Sequence, residues 1–282
     1  MNILSIQSHV AYGHVGNASA VFVMQRLGHE VWPIHTVQFS NHTGYGSWKG
    51  QVFDSSLIDD CVQGIYERGV LGSCDGVLSG YVGAPAIGDS ILRAVKRVRD
   101  ANPAAAYACD PVIGDIGRGI FVRPGVPEFF RDQAVPAADL VTPNHFELDF
   151  LIGRPSTSMD GVRASIADLH ALGPKVALVT SLIVDGTPDD ALDIVASDGA
   201  NLWLARSQRL PLSINGAGDA IAALFYVHWL TTHSVPEALS RSVSSVFGLL
   251  KRTVQAGSRE IVLIAAQDEI VQPSTIIPAV QI

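Results

Sequence analysis

Asn215-Gly216-Ala217-Gly218-Asp219 is a glycine-bracketed turn running into the apolar stretch from Ala220 to Leu230, the form of a loop that feeds a helix N-terminus. Gly216 and Gly218 carry no Cβ, so the backbone can take positive φ there and come close to a ligand. The N–H groups left free in the first helical turn, added to the helix dipole, suit a phosphate or a developing negative charge. Gly216, Ala217 and Gly218 are therefore candidates for an anion hole. Asp219 has two readings. It is either a carboxylate that complements the helix dipole or a base held beside an oxygen that attacks phosphorus, and short Gly-rich turns before helices are too common for this stretch alone to decide.

Further polar residues fall where short apolar runs end. Ser8 follows Ile3–Ile6, Tyr81 follows Gly76–Ser79, Asp110 closes Ala105–Cys109, and Thr180-Ser181 ends the run from Val176. Leu140-Val141-Thr142 ends at Pro143-Asn144, with Glu147 in the first turn of a helix that follows. Glu147 reads as a helix cap or, with Thr142 and Asn144, as part of an oxygen set suited to hydrated Mg²⁺. Asp110 and Glu147 are the candidate metal carboxylates. Two glycine-rich loops add candidates. Ser40–Gly46 carries His42, Thr43, Gly44 and Tyr45 and is too polar for a strand or a helix; residues 112–119 hold three glycines and Arg118 and read as a flexible flap. The flap is expected to be mobile in the free protein and ordered over a bound nucleotide. His9, His14, His35 and His42 have spacings that fit no helix face, and hard oxygen ligands suit Mg²⁺ better, so they read as polar pocket or surface side chains.

Holding these ends together requires a particular kind of sheet. Short apolar runs alternate with helical spacing: helices over about 17–27, 55–67, 87–99, 159–172 and 236–251, strands over 3–6, 31–37, 76–79, 105–109, 140–142 and 176–180. That alternation predicts an α/β fold with a central, mostly parallel sheet flanked by helices, and ligands on such sheets sit beyond the carboxyl ends of the strands. An antiparallel hairpin is expected from 191–196 and 201–205 around Asp198-Gly199. The chain has 282 residues, 48% hydrophobic and 16% charged, and a single domain over 1–282 is expected. A net charge of −8 with no basic stripe argues against a nucleic-acid partner. With no apolar run of membrane length and no charged-then-apolar leader, a soluble cytoplasmic protein is expected, and Cys61, Cys74 and Cys109 read as reduced thiols.

Taken in order, six motifs carry a resemblance: Ile6–Val10, Ser40-Asn41-His42-Thr43, Leu78-Ser79-Gly80-Tyr81, Cys109-Asp110-Pro111-Val112, Thr142-Pro143-Asn144 with Glu147, and Gly216–Asp219. Together, and almost end to end, the chain resembles the pyridoxal kinases of the ribokinase superfamily. The first two motifs are particular to vitamin B6 kinases, whereas the last is shared by the superfamily. The resemblance implies a ribokinase-like three-layer fold, ATP and Mg²⁺, a homodimer, and phosphate transfer to the 5′-hydroxyl of pyridoxal; it leaves open a monovalent cation. It further implies that Ser8, Thr43, Gly44 and Tyr81 meet the vitamer and that Asp110, Thr142, Asn144, Glu147, Thr180 and Ser181 meet ATP and cations. Asp219 would be the catalytic base, touching the substrate hydroxyl. Two alternatives stand beside this reading: another superfamily kinase acting on a sugar or a hydroxymethylpyrimidine, and a binding protein that carries a B6 vitamer without turnover.

Overall fold

The computed structural model describes residues 1–212 and 214–282. Its strands, in chain order, are β1 (Asn2–Val10), β2 (Glu30–Phe39), β3 (Gly50–Val52), β4 (Gly76–Ser79), β5 (Ala106–Cys109), β6 (Gly114–Asp115), β7 (Gly119–Ile120), β8 (Leu140–Val141), β9 (Val176–Leu182), β10 (Ala191–Ser197), β11 (Leu202–Gln208) and β12 (Val280–Gln281). The helices are α1 (Asn17–Arg26), α2 (Ser55–Glu67), α3 (Pro85–Ala101), α4 (Val126–Phe129), α5 (Val135–Ala137), α6 (His145–Ile152), α7 (Met159–Ala171), α8 (Ala217–Thr232), α9 (Val235–Gln255) and α10 (Asp268–Val271). One ten-stranded sheet has the order β12-β11-β10-β9-β8-β5-β4-β1-β2-β3, and β6 pairs only with β7. From β2 through β1, β4, β5 and β8 to β9 all pairings are parallel, whereas β3 and β10–β12 add antiparallel margins.

The middle strands show why the sheet is covered on both sides. Every residue of β4 and β5 is buried, as expected for parallel strands whose two faces both carry helices. On one face Ile58 and Val62 of α2, Ile91 and Val95 of α3, Leu148 of α6 and Ile166 of α7 share a core with Val77 and Tyr107. On the other, Val23 and Met24 of α1, Leu224 and Phe225 of α8, and Val243 and Leu249 of α9 pack over Ile3, Leu78 and Ala108. Helix α3 presents Ile87, Ile91, Val95 and Val98 along one face at helical spacing, so it lies on the sheet with its other side in water. Helix α8 differs: Ala220 to His228 are all buried, since it lies against both α1 and α9 as well as the sheet. A side chain of this size fully buried contributes roughly 1.5–3 kcal/mol, so α8 is fixed in place by its own apolar run.

The expected sheet and the hairpin formed by β10 and β11 are present, with Ser197 opposite Leu202. Some boundaries moved. Strand β1 runs through Ser8 to Val10 instead of ending near Ile6, with a register shift against β2 in which Ser8 alone stands opposite the two residues Thr36 and Val37. Strand β9 likewise continues through Thr180 to Leu182. Within the expected flap at residues 112–119, Gly114-Asp115 and Gly119-Ile120 close a small ladder. Among the described residues no helix is long and apolar enough to cross a membrane. Cys61, Cys74 and Cys109 are free thiols, the last two buried.

Candidate active site

Gly216 caps the N-terminus of α8 in the left-handed region, at φ 90°. A Cβ on Gly216 would lie 1.7 Å from the His14 carbonyl oxygen, so only glycine lets this turn close against the β1–α1 connection. The Ser19 hydroxyl donates to the Gly216 carbonyl at 3.1 Å and ties the turn to α1. Ala217, Gly218 and Asp219 are then the first three helical residues, whose N–H groups have no carbonyl one turn back. The Asp219 side chain opens on the cavity and is half-buried, with the backbone N–H groups of Gly16 and of Asp219 itself near enough to favour its ionised form. Burial outweighs those dipoles and pushes its pKa above the usual carboxylate range. A carboxylate so placed is a stronger proton acceptor than one in water.

This turn forms one wall of a cavity of about 320 Å³ beyond the carboxyl ends of the parallel strands. Ser8, Tyr81, Asp110, Thr142, Asn144, Glu147, Thr180 and Ser181 line it together with Gly216–Asp219 and Thr43. Gly44 does not. It is exposed on the outer side of a short 3-10 turn over Thr43–Tyr45, where its N–H donates to His42 Nδ1 at 3.0 Å. Tyr81 is placed by the Thr36 hydroxyl, which donates to its carbonyl at 2.9 Å. Beside Thr43 and Tyr81 a second hollow opens, walled by Phe39, Trp48, Phe121 and Arg123. Phe39 and Trp48 meet with ring centroids 6.1 Å apart, so this side of the site is aromatic.

The opposite side is anionic and hydrogen-bonded. Asp110 is 7% exposed, and its one side-chain bond is accepted from the Thr142 hydroxyl at 2.9 Å. Burial, then the nearby charges of Glu147 and Asp219, hold the Asp110 carboxyl well above its ordinary pKa. Asn144 and Glu147 form a reciprocal capping box at the start of α6, so the bland reading of Glu147 as a cap is correct as far as it goes. Its reach extends further: Oε1 also accepts the N–H groups of Ile113 at 2.8 Å and Gly114 at 3.3 Å, which fastens the β6–β7 hairpin to α6. Burial still dominates and raises Glu147 to about 7. The Asn144 amide donates to the Gly114 carbonyl at 2.8 Å and completes the clasp.

At the tip of that hairpin Arg118 forks onto Asp115 Oδ2, while Asp115 Oδ1 is buried without a partner. Both side chains face the cavity. A cation or a donor from a ligand would satisfy that oxygen, which gives the hairpin a reason to respond to what binds. Amides of 112–120 are expected to exchange more slowly with a non-hydrolysable ATP analogue than without it; equal exchange in the two states would show that the hairpin does not close over nucleotide.

No group of three or more His, Cys, Asp or Glu side chains among the described residues is arranged to hold a metal on its own. The donors that are present suit Mg²⁺ in a different way. It keeps several waters and binds through one or two carboxylates plus substrate phosphates, and Asp110, buried with a single hydrogen bond, offers such a carboxylate. Glu147 stands behind it with three backbone N–H groups already on its oxygens.

The aromatic wall of Phe39, Trp48 and Phe121 had no signal at the level of sequence, because it is assembled from separate segments. Arg206 is forked onto buried Asp193 at 2.6 and 2.8 Å and secures the β10–β11 hairpin. Ser181 has φ 58°, rare for a residue with a Cβ, and sits on the cavity rim beside Thr180.

A doubly covered parallel sheet with an anion turn beyond its carboxyl edge is an α/β fold suited to receiving a phosphorylated ligand, and the solved structures it resembles make it ribokinase-like. A family model described as phosphomethylpyrimidine kinase matches residues 80–263. The pyridoxal kinase PdxY of Granulibacter bethesdensis is 58% identical over 279 residues, covering 98% of each chain. That of Rubrobacter xylanophilus is 53% identical over 279 residues, covering 99% of this chain and 96% of its own. A solved pyridoxal kinase from Leishmania donovani, in complex with ADP and pyridoxamine, superposes with a TM-score of 0.92 at 27% identity, covering 100% of this chain and 99% of that one. The chain belongs to the pyridoxal kinase family.

Proposed function

We propose that this protein transfers the terminal phosphoryl group of ATP to the 5′-hydroxyl of a B6 vitamer, with pyridoxal as the preferred substrate. The observation that carries the reading is that one cavity joins an aromatic, hydroxyl-bearing wall to the N-terminus of α8, with Asp219 between them. Phe39, Tyr81 and Trp48 suit a flat pyridine ring, and Ser8 and Thr43 bring hydroxyls to its polar edge. That combination has no use for a sugar, and a carrier without turnover has no use for a base beside an anion hole.

In the reaction the Asp219 carboxylate takes the proton of the 5′-hydroxyl as that oxygen bonds to phosphorus and the bond from phosphorus to the ADP oxygen breaks. The N–H groups of Ala217 and Gly218, with the dipole of α8, face the charge on the transferring phosphoryl oxygens. Asn144, Thr180 and Ser181 lie on the nucleotide side of the cavity, and the β6–β7 hairpin covers it and excludes water. Mg²⁺, when bound, neutralises charge on the ATP phosphates, and Asp110 is the residue that would hold it, through water, with Thr142 fixing the carboxylate and Glu147 adding negative potential. The same reading takes residues 1–282 as one catalytic domain that works as a homodimer in the cytoplasm, the dimer being testable by light scattering.

Incubation with ATP and Mg²⁺ and each of pyridoxal, pyridoxine, pyridoxamine, hydroxymethylpyrimidine and ribose, with ADP as the readout, tests the assignment. Pyridoxal is expected to turn over faster than ribose. Equal or faster turnover of ribose, or of hydroxymethylpyrimidine, would move the protein to another branch of the fold. Thr43→Ala is expected to weaken vitamer binding by about 0.5–1.5 kcal/mol, the worth of one neutral hydrogen bond, while ATP affinity stays unchanged. Calorimetric titration of the variant with each substrate checks this, and a loss on the ATP side instead would put the loop with the nucleotide.

A further inference from the structure

Three separate segments converge on one carboxylate outside the cavity. The Tyr45 hydroxyl donates to Glu260 Oε1, and the bond pushes the phenol up to about 12. The Arg259 guanidinium lies over the Tyr45 ring, 5.3 Å from its centroid, and the Tyr12 ring meets it edge-on at 6.3 Å. On the third side Gly13, at φ 93°, brings the β1–α1 turn so near that a Cβ there would lie 2.4 Å from Glu260 Oε2. Glu260 itself has a firm seat. Its N–H donates to the Ser258 hydroxyl at 3.1 Å, that hydroxyl donates back to the Glu260 carbonyl at 2.7 Å, and the segment follows directly on α9.

Tyr45 shares its 3-10 turn with Thr43. The Tyr45 N–H donates to the His42 carbonyl at 3.2 Å and the Gly46 N–H to the Thr43 carbonyl at 3.0 Å, so fixing one residue of the turn fixes the others. The Glu260 charge is also felt by the His42 imidazole, where it opposes the lowering caused first by burial and then by Arg118. Neither Tyr45 nor Glu260 lines the cavity. Without a tie, a glycine-flanked turn of three residues would carry Thr43 through a range of positions, since Gly44 and Gly46 both lie beside it in the open.

We infer that Tyr45 and Glu260 form a latch that positions the Thr43 turn against the β1–α1 connection and the end of α9. They are positioning residues: they bring the vitamer side of the site to the anion side by holding Thr43 in register with Ser8 and Asp219. The inference rests on the proposed role of Thr43 toward the vitamer, yet the latch has a physical signature of its own, namely order in the turn before any ligand binds.

Tyr45→Phe removes the donor and Glu260→Ala removes the acceptor. Each is expected to raise KM for pyridoxal about tenfold, the worth of a hydrogen bond to a charged group, with kcat and KM for ATP within about twofold of the parent. The double variant is expected to be no worse than either single one, because both break the same bond. Glu260→Gln, which keeps an acceptor, is expected to recover most of the loss. Hydrogen exchange on the ligand-free variants supplies a readout independent of turnover: amides of 42–46 are expected to exchange faster in both, with those of α7 unchanged. Unchanged exchange at 42–46 overturns the latch, whatever the protein phosphorylates. Faster exchange with an unchanged KM for pyridoxal overturns its positioning role. A parent protein that phosphorylates no B6 vitamer at all would refute the proposed activity, and the exchange comparison would still decide the latch.

Discussion

Asp219→Asn is expected to lower kcat by a factor on the order of 10²–10⁴ while leaving KM for ATP and pyridoxal within about twofold. The substitution keeps the side-chain shape, and an amide oxygen still faces the dipole of the nearby Gly16 N–H. What it removes is the proton acceptor, needed only as the 5′-hydroxyl attacks. Stability separates this role from the dipole-partner role. Because burial holds the Asp219 pKa above its unfolded value, the contribution of this group to stability is complete at acid pH and falls as pH rises through the folded pKa. At neutral pH the ionised carboxylate is therefore a burden, and the Asn variant is expected to melt at the same temperature or higher, by a margin that grows with pH. A carboxylate kept only as a dipole partner gives the opposite sign, a loss of roughly 0.3–1 kcal/mol with unchanged turnover. Thermal midpoint and kcat measured on one preparation at two pH values decide the matter, and parental kcat with a lower midpoint would remove the mechanism.

Much of the site was readable in the sequence because α/β sheets put function where strands end. Ser8, Tyr81, Asp110 and Thr142 could be placed on a common edge from apolar runs alone, since each run ends in a polar residue and parallel strands end on the same side. Residues that act through their neighbours were harder to read. Glu147 looks the same in sequence whether it caps α6 or also gathers the N–H groups of Ile113 and Gly114 from more than thirty residues away, and only the fold shows that it does both. Gly44, which the resemblance placed with the vitamer, is exposed in a 3-10 turn and does not line the cavity, a placement that only the fold shows. Within residues 112–119 the sequence showed no strand for a related reason: a two-residue ladder between Gly114-Asp115 and Gly119-Ile120 is too short to show the alternation by which strands are recognised. The edge strand β3, Gly-Gln-Val, has the same difficulty.

The two glycines of the anion turn are expected to respond to alanine in opposite ways, and the contrast tests where phosphate sits. At Gly216 the backbone has φ 90° and the new methyl group would meet the His14 carbonyl at 1.7 Å. The conformation alone costs about 1–2 kcal/mol, and relieving the collision must push α8 away from the β1–α1 connection. Gly216→Ala is thus expected to melt at a lower temperature and, with its donors shifted by about 1 Å, to lose about 10² in kcat. Gly218 has an ordinary helical backbone and, among the described residues, no atom within 4 Å of its absent Cβ, although it lines the cavity. Alanine there gains helix stability of roughly 0.5–1 kcal/mol, so Gly218→Ala is expected to melt higher than the parent. Space on a cavity wall beside the N–H groups of Ala217 and Gly218 is space for a ligand, and a methyl group placed in it obstructs the transferring phosphoryl group. Turnover is accordingly expected to fall by at least about tenfold while stability rises, a combination that a purely structural glycine does not produce. If Gly218→Ala were stabilised and fully active, the phosphoryl group would have to pass elsewhere, and the N-terminus of α8 would be only the end of a helix.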